Sequence, residues 1–133
     1  MNNLETVQTM YAAFGRGDVP GILAHMADNI DMNNSSLASA ECPWNADFSG
    51  KSRVPGFFKA LADNLEFTRF EPRDFVASGN HVVVRIAIES VVKKNGKRVQ
   101  NDVVHFWTLN DQNKVTQYRH FGDSAAELAA WRG

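Results

Sequence analysis

Two apolar-rich runs near the end of the chain, separated by a polar turn, constrain the fold more than any other feature. The stretch from residue 99 to residue 123 reads VQNDVVHFWTLNDQNKVTQYRHFGD, and β-branched and aromatic residues fill both of its halves. Such residues favour strands, and a polar turn between two strands indicates a β-hairpin. The hairpin contains His105 and His120 and ends at Asp123. We expect any chemistry of this protein at that end.

A period of three to four residues governs the first half of the chain and predicts three helices. In the first, the apolar residues share one helical face. They are Leu4, Val7, Tyr11 and Phe14. The second helix should begin after Asp18, which can cap it. The third is the most regular, and its apolar face consists of Val54, Phe57, Phe58, Leu61 and Leu65.

After the third helix the apolar period falls to two, which is typical of strands. The predicted strands are residues 67–77 (interrupted by Pro72), 81–92, 99–109 and 115–121. Asn95-Gly96 predicts a type I′ turn between two of them. Ser124 and Glu127 have the spacing of a capping box and predict a short last helix. Helices followed by antiparallel strands predict a single α+β domain over residues 1–133, with helices on one face of a curved sheet.

The segment between the second and third helices has no clear period. A short strand is possible at residues 30–32, and residues 33–52 read as a loop in which Trp44 and Phe48 are apolar anchors. A long loop inside a small domain is often a lid or a wall of a functional site. We therefore expect this loop to border a pocket.

Composition argues against several classes of function. The formal net charge is −1 with scattered basic residues, which argues against a nucleic-acid partner. Cys42 is the single cysteine, which excludes an intrachain disulfide and a multi-cysteine zinc site. No histidines or carboxylates have metal-ligand spacing on a helix, so we expect no metal. The best apolar run, residues 82–88, is too short to span a bilayer. With no signal peptide recognisable, we expect a cytoplasmic protein without a membrane partner.

The last strand carries the candidate catalytic groups. Tyr118 and His120 share one of its faces, and Asp123 lies on the other unless Gly122 forms a bulge. A bulge would turn Asp123 inward beside His120, where a carboxylate in an apolar cavity can act as a base. The alternative is that Asp123, which directly precedes Ser124, caps the last helix. Both possibilities stay open from the sequence.

In the preceding strand, both faces carry apolar side chains, so the sequence does not clearly show which face lies toward the pocket. Alternation places Val104 and Phe106 on one face, and His105 and Trp107 on the other. We expect Phe106 to face the pocket. The second face, with His105 and Trp107, would then be the outer one, and its mixed apolar character predicts a homodimer.

Several short motifs are spread over nearly the whole chain. They are VQTMYAAF at residues 7–14 with Gly17-Asp18, Phe57-Phe58, Phe70-Glu71-Pro72, Gly79-Asn80, His105-Phe106-Trp107 and YRHFGD at residues 118–123. Together they resemble SnoaL-like proteins. These belong to the nuclear transport factor 2-like superfamily, as do ketosteroid isomerases and polyketide cyclases. The motifs are diffuse, so the resemblance specifies a fold rather than a reaction.

The resemblance implies a cone-shaped domain, in which a strongly bent antiparallel or mixed sheet wraps around three N-terminal helices and leaves an apolar pocket. It also implies a homodimer through the outer sheet face. In polyketide cyclases of this group an aspartate near the end of the last strand is the acid–base residue, and Asp123 matches that position. The ketosteroid isomerase pattern is not met, because Met10, Asn34 and Val104 occupy the positions of its tyrosine, base and aspartic acid.

Two functions of different classes follow from these observations. One is a cofactor-free isomerase or polyketide-cyclase-like enzyme that acts on an apolar, carbonyl-bearing small molecule, with Asp123 as general base and His120 as its partner. The other is a non-catalytic module that binds an apolar ligand or a protein. The expected ligand-binding residues are Tyr11, Phe14, Asn34, Trp44, Phe57, Phe58, His105, Phe106 and Tyr118.

Overall fold

Four helices and five strands make up the structure, a computed structural model that describes residues 1–133. The helices are α1 (Asn3–Gly15), α2 (Val19–Leu23), α3 (Val54–Asn64) and α4 (Ser124–Arg132), and a short 3-10 turn covers Pro43–Asn45. The strands are β1 (Met26–Asp31), β2 (Leu65–Ser78), β3 (His81–Val92), β4 (Arg98–Leu109) and β5 (Val115–Phe121). None of the helices has the length and hydropathy needed to cross a bilayer.

The strands form one mixed sheet in the order β1-β5-β4-β3-β2. β1 runs parallel to β5, and the other neighbours are antiparallel. The predicted hairpin is present as β4 and β5, in which Trp107 lies opposite Tyr118 and His105 lies opposite His120. The predicted α+β fold with a curved, mixed sheet is therefore confirmed.

Two irregularities in β2 bend the sheet around the helices. The pairing with β3 shifts between Phe67 and Arg69 and again between Pro72 and Asp74. Each inserted residue interrupts the ladder and increases the local twist. It also shifts by one residue which side chains of β2 point inward. Phe67, Phe70 and Phe75, which are spaced by odd numbers of residues, therefore all pack toward the helices. Pro72, which suggested an interruption of the strand, lies within this edge strand at the second irregularity.

The main core lies between α1, α2, α3 and the inner face of the sheet. Val7 of α1, Ile30 of β1, and Val82, Val84 and Ile86 of β3 are fully buried in it. Burying each such side chain contributes about 1.5–3 kcal/mol. A smaller cluster, which includes Trp44, Leu65 and Ala130, joins the loop at residues 33–52 to α3 and α4. The loop is thus held in place by side chains of α3, α4 and the sheet.

The Asn95-Gly96 turn differs from its prediction. Gly96 has a φ of +72°, but Asn95 does not have a positive φ, so the type I′ turn is wrong. The Asn95 side chain instead donates to the Ala130 carbonyl and accepts from the Lys97 backbone N–H. A tertiary contact to the end of α4 therefore sets the conformation of this loop.

The outer face of the sheet also differs from its prediction. His105 and Trp107 lie on the inner face, 7% and 6% exposed. Phe106 lies on the outer face, where it contacts His81 with ring centroids 4.9 Å apart. Val76 and Phe121 are 62% and 51% exposed. A homodimer formed through this face stays a prediction.

A two-point ion pair ties β1 to β5. Arg119 Nη1 donates to Asp31 Oδ1 at 3.0 Å, and Nη2 donates to Oδ2 at 2.8 Å. These hydrogen bonds lower the pKa of Asp31 from its ordinary value. A carboxyl whose pKa is lowered in the folded state stabilises the fold above its unfolded pKa and loses that contribution as pH falls through the folded pKa.

Asp31→Asn is expected to lower the free energy of unfolding by no more than about 1 kcal/mol at pH 7, because both partners are partly exposed and solvent screens the pair. The difference between variant and parent should shrink below about pH 4, where the unfolded carboxyl is protonated. Urea unfolding at pH 7 and pH 3 measures this. Asp111→Asn, in an exposed turn, is the control. An Asp31→Asn difference that does not change with pH would contradict the prediction.

Candidate active site

An apolar cavity lies between the inner face of the sheet and α1, α3 and the loop at residues 33–52. Of its 26 lining residues, 19 are hydrophobic, so most of the surface offered to a ligand is apolar. Its volume is about 110 Å³, against ~10–15 Å³ for a single water on the same measure. The cavity can therefore hold a small organic molecule.

All of the predicted site residues line this cavity except Phe106 and Asp123. Those that do are Tyr11, Phe14, Asn34, Trp44, Phe57, Phe58, His105, Tyr118 and His120. They come from helices, from the loop and from two strands, and the bent sheet brings them together. Phe106 is excluded because it has the opposite orientation to its neighbours His105 and Trp107 on β4. The prediction that Phe106 faces the pocket is wrong.

Asp123 is exposed and caps α4. Its Oδ1 accepts a hydrogen bond from the Ala126 backbone N–H at 3.0 Å, and its own backbone N–H donates to Asn101 Oδ1 at 3.0 Å. The β4–β5 pairing is regular from Gln117 to Phe121, and its one irregularity lies at the other end, between Thr108 and Leu109, so no paired bulge turns the carboxylate inward. The prediction that Asp123 faces the pocket as its base is wrong, and the alternative that it caps the last helix is confirmed.

The carboxylate that does enter the cavity is Glu127, which sequence reasoning assigned to a capping box. Because the cap is Asp123 rather than Ser124, Glu127 lies one position further into α4 and faces inward, 8% exposed. Its Oε1 accepts from Trp44 Nε1 at 2.9 Å and from Asn45 Nδ2 at 2.7 Å. One signal was available in the sequence. Glu127 and Ala130 are three residues apart and so lie on the same face of a helix, and the structure buries that face.

His120 and Glu127 face each other in this cavity. His120 Nε2 lies 3.9 Å from Glu127 Oε2, and the two side chains are 16% and 10% exposed. Burial lowers the pKa of His120 from its ordinary value, and the nearby carboxylate acts in the opposite direction. Asn34 Oδ1 accepts from the His120 backbone N–H at 3.0 Å, which fixes this part of β5. At neutral pH the imidazole is therefore uncharged and able to accept a proton.

The second imidazole is oriented by two aromatic side chains. Trp107 Nε1 donates to the Tyr11 hydroxyl oxygen at 3.0 Å, and that oxygen lies 2.6 Å from His105 Nδ1. Tyr11 has no other acceptor within reach, so its hydroxyl donates to Nδ1, and the ring proton of a neutral His105 then lies on Nε2. Burial lowers the pKa of His105 well below its ordinary value. His105 is thus a neutral hydrogen-bond donor.

Tyr118 supplies a second donor. It is 4% exposed, lines the cavity and has no hydrogen-bond partner for its hydroxyl. Its ring lies 5.1 Å from that of His105, centroid to centroid, and the rings of His105 and His120 are 5.5 Å apart. Burial raises the pKa of Tyr118, so the hydroxyl keeps its proton. Two donors and one neutral base therefore meet at one part of the cavity.

No group of three or more histidine, cysteine, aspartate or glutamate side chains is arranged to hold a metal ion. The single cysteine, Cys42, is fully buried. Burial raises the pKa of its thiol to about 12, and Glu127 adds to this. The thiol is therefore protonated at neutral pH and unsuited to nucleophilic attack.

A family model described as a SnoaL-like domain matches residues 7–118. No curated protein matches the chain. Among solved structures, a nuclear transport factor 2-like protein of unknown function from Burkholderia pseudomallei is 24% identical, with a TM-score of 0.87, and the match covers 100% of this chain and 99% of the other. A second, from Burkholderia xenovorans, is 28% identical, with a TM-score of 0.84 and coverages of 96% and 94%. TerC, co-crystallised with polyporic acid, is 25% identical, with a TM-score of 0.84 and coverages of 98% and 98%.

Proposed function

The chain belongs to the SnoaL-like domain family, and we propose that it is a cofactor-free acid–base enzyme acting on an apolar, carbonyl-bearing small molecule. The observation that carries this proposal is the buried pair of His120 and Glu127, with Nε2 3.9 Å from Oε2, in the wall of an apolar cavity. A neutral imidazole beside a fixed carboxylate is a common arrangement for proton transfer. The reaction would be an isomerisation or a cyclisation.

In this proposal His120 is the general base. It removes a proton from the carbon next to the ligand carbonyl, and the imidazolium that forms is stabilised by the negative charge of Glu127. Glu127 touches His120 rather than the reacting atoms, so it is a positioning residue. Its other oxygen, Oε1, accepts hydrogen bonds from Trp44 and Asn45, which keep the carboxylate in place.

Tyr118 and His105 stabilise the charge that develops on the ligand oxygen. When a proton leaves the carbon next to a carbonyl, negative charge moves to the carbonyl oxygen. The Tyr118 hydroxyl and the His105 Nε2–H can both donate to that oxygen, and burial strengthens such hydrogen bonds. The Tyr118 hydroxyl keeps its proton at neutral pH, because burial raises its pKa. Burial lowers the pKa of His105, so its ring is neutral and carries one N–H, on Nε2.

Structural neighbours support an apolar organic ligand. One neighbour was co-crystallised with polyporic acid, and more distant ones carry the names polyketide cyclase, isomerase and epoxide hydrolase. These names differ, and several belong to chains under 20% identical, so they support the ligand class more than a reaction. The apolar wall of the cavity points to the same class.

The test is proton exchange on a simple ketone, which needs no knowledge of the natural substrate. With 4-acetylbiphenyl in D₂O, the protein should accelerate replacement of the methyl hydrogens by deuterium, followed by proton NMR. The Asp123→Asn variant is the matched control, since Asp123 lies outside the cavity, and it should exchange at the parent rate. Binding of the ketone without accelerated exchange would contradict the proposal and favour a binding module.

The exchange rate should stay constant from pH 8 down past pH 6.5 and fall at lower pH. Burial lowers the pKa of His120 below its ordinary value, so the imidazole stays neutral until the solution is more acidic than that value. Below its pKa the ring carries a proton and cannot accept another. A rate that already falls between pH 8 and pH 7 would contradict this assignment of the base.

A further inference from the structure

One hydroxyl that lines the cavity takes no part in the arrangement described above. Ser90 of β3 is 4% exposed and lines the cavity, and its hydroxyl has no hydrogen-bond partner in the protein. The protein does not fully enclose the hydroxyl oxygen, so it opens into the cavity, where it can bond to water or to a polar atom of a ligand. A ligand that displaces water from this end of the cavity must replace that hydrogen bond with a polar atom of its own.

Ser90 lies far from the two imidazoles along the sheet. It pairs with Val99 of β4, whereas His105 of the same strand pairs with Val84 of β3. The Ser90–Val99 pair and the Val84–His105 pair are six residues apart along each strand, which is ~20 Å for an extended strand. The sheet bends around the cavity and both side chains point into it, so the polar atoms are closer than this. They stand at opposite ends of one cavity.

The wall between these ends is aromatic. Phe14 of α1 contacts Phe70, Phe67 and Phe58, with ring centroids 4.8 Å, 6.1 Å and 6.1 Å apart. Phe67 lies directly opposite Ser90 in the sheet. Aromatic walls favour flat apolar molecules, which can lie against the ring faces and edges. This wall therefore suits a ligand whose middle is flat and apolar.

The Ser90 end of the cavity continues into a second recess. Phe14, Phe58, Leu61 and Phe67 line both spaces, and the recess extends to Gly17 between α1 and α2. A ligand that enters this way reaches the imidazoles with its leading end. Its trailing end stays beside Ser90.

We propose that Ser90 is a second polar anchor of the cavity, and that the ligand is an elongated, flat, apolar molecule with an oxygen function at each end. The leading oxygen accepts from Tyr118 and His105, and the trailing oxygen bonds to the Ser90 hydroxyl. This inference rests on the proposed function only in taking the leading oxygen to be a carbonyl.

The experiment uses two probes that differ by one hydroxyl. 4-Acetyl-4′-hydroxybiphenyl carries an oxygen at each end, and 4-acetylbiphenyl lacks the far one. The parent protein should bind the hydroxylated probe about fivefold more tightly, as expected for one net hydrogen bond. Ser90→Ala should abolish this preference, with the Kd of 4-acetylbiphenyl unchanged. Tyr118→Phe should weaken both probes by the same factor. Isothermal titration calorimetry measures the dissociation constant of each probe for each protein.

Ser78→Ala is the matched control, because Ser78 is exposed at the end of β2, and it should keep the preference. A preference that survives in Ser90→Ala, or that is absent from the parent, overturns the role of Ser90. Failure of the parent to bind either probe overturns the ligand class. The readout is affinity alone, so these outcomes are distinct from a failure of the proton-exchange assay, which tests His120.

Discussion

His120→Gln is expected to slow deuterium exchange into 4-acetylbiphenyl by 10²–10⁴-fold, the usual contribution of a positioned general base. Glutamine is close to histidine in size and keeps a polar group in the same place, but it cannot accept a proton at neutral pH. The backbone hydrogen bond between His120 N–H and Asn34 Oδ1 does not involve the side chain and should persist. The melting temperature should therefore change little, while the exchange rate falls.

The control for this variant is His81→Gln. His81 is exposed at the start of β3, on the outer face of the sheet, and does not line the cavity. Its substitution should leave the exchange rate at the parent value. If His120→Gln and His81→Gln exchange equally well, His120 is not the base. Recovery of exchange in His120→Ala on adding free imidazole would give independent support.

Element type was predictable from the sequence because the periodic patterns are strong. The helical faces of α1 and α3 carry apolar residues at spacings of three and four, and the later strands alternate. The Asp18 cap also behaves as predicted, accepting from the Gly21 backbone N–H at 2.9 Å. The Asn95-Gly96 turn did not, because its conformation depends on a contact with α4, which is distant in sequence.

The orientation of β4 could not be predicted in the same way. Alternation correctly separated Val104 and Phe106 from His105 and Trp107, but both sets contain large apolar side chains. Only the packing of Tyr11 against His105 and Trp107 decides which set faces inward. A strand that is partly apolar on both faces has no sequence signal for its orientation.

The cavity carboxylate was assigned to Asp123 instead of Glu127, because the sequence pattern placed the cap of α4 one residue too late. The sequence contains Asp123, Ser124 and Glu127, which allow two capping schemes for α4. With Ser124 as the cap, Glu127 would fold back onto the helix end, and Asp123 would be free to enter the cavity. With Asp123 as the cap, as observed, Glu127 turns inward and Asp123 stays outside. The choice depends on Trp44 and Asn45, which bind Glu127 from the loop.

Glu127 therefore links the proposed general base, His120, to the structure of the loop at residues 33–52. Its Oε1 holds Trp44 and Asn45, and its Oε2 faces His120. Trp44 also contacts Trp131 of α4, with ring centroids 5.6 Å apart. Removing the carboxylate and neutralising it should have different consequences, because only the first leaves the Trp44 indole N–H without its acceptor.

Glu127→Ala is expected to lower the free energy of unfolding by about 2–4 kcal/mol, since it leaves a buried donor on Trp44 unsatisfied and opens a cavity. Glu127→Gln keeps an amide oxygen that can accept from Trp44 and Asn45, so its loss should be under about 1 kcal/mol. Urea unfolding followed by tryptophan fluorescence measures both. Glu41→Ala is the control, because Glu41 is exposed on the same loop and pairs only with Arg132 on the surface, and its free energy of unfolding should stay close to that of the parent.

Glu127→Gln should nevertheless change the rate of deuterium exchange. The Glu127 carboxylate raises the pKa of His120, against the effect of burial, so removing its charge should lower that pKa further and move the acid limb of the exchange profile to lower pH. The rate at pH 8 should also fall, because the amide cannot stabilise the imidazolium that forms when His120 takes a proton. A profile that does not shift, with an unchanged rate, would show that Glu127 serves only to hold the loop.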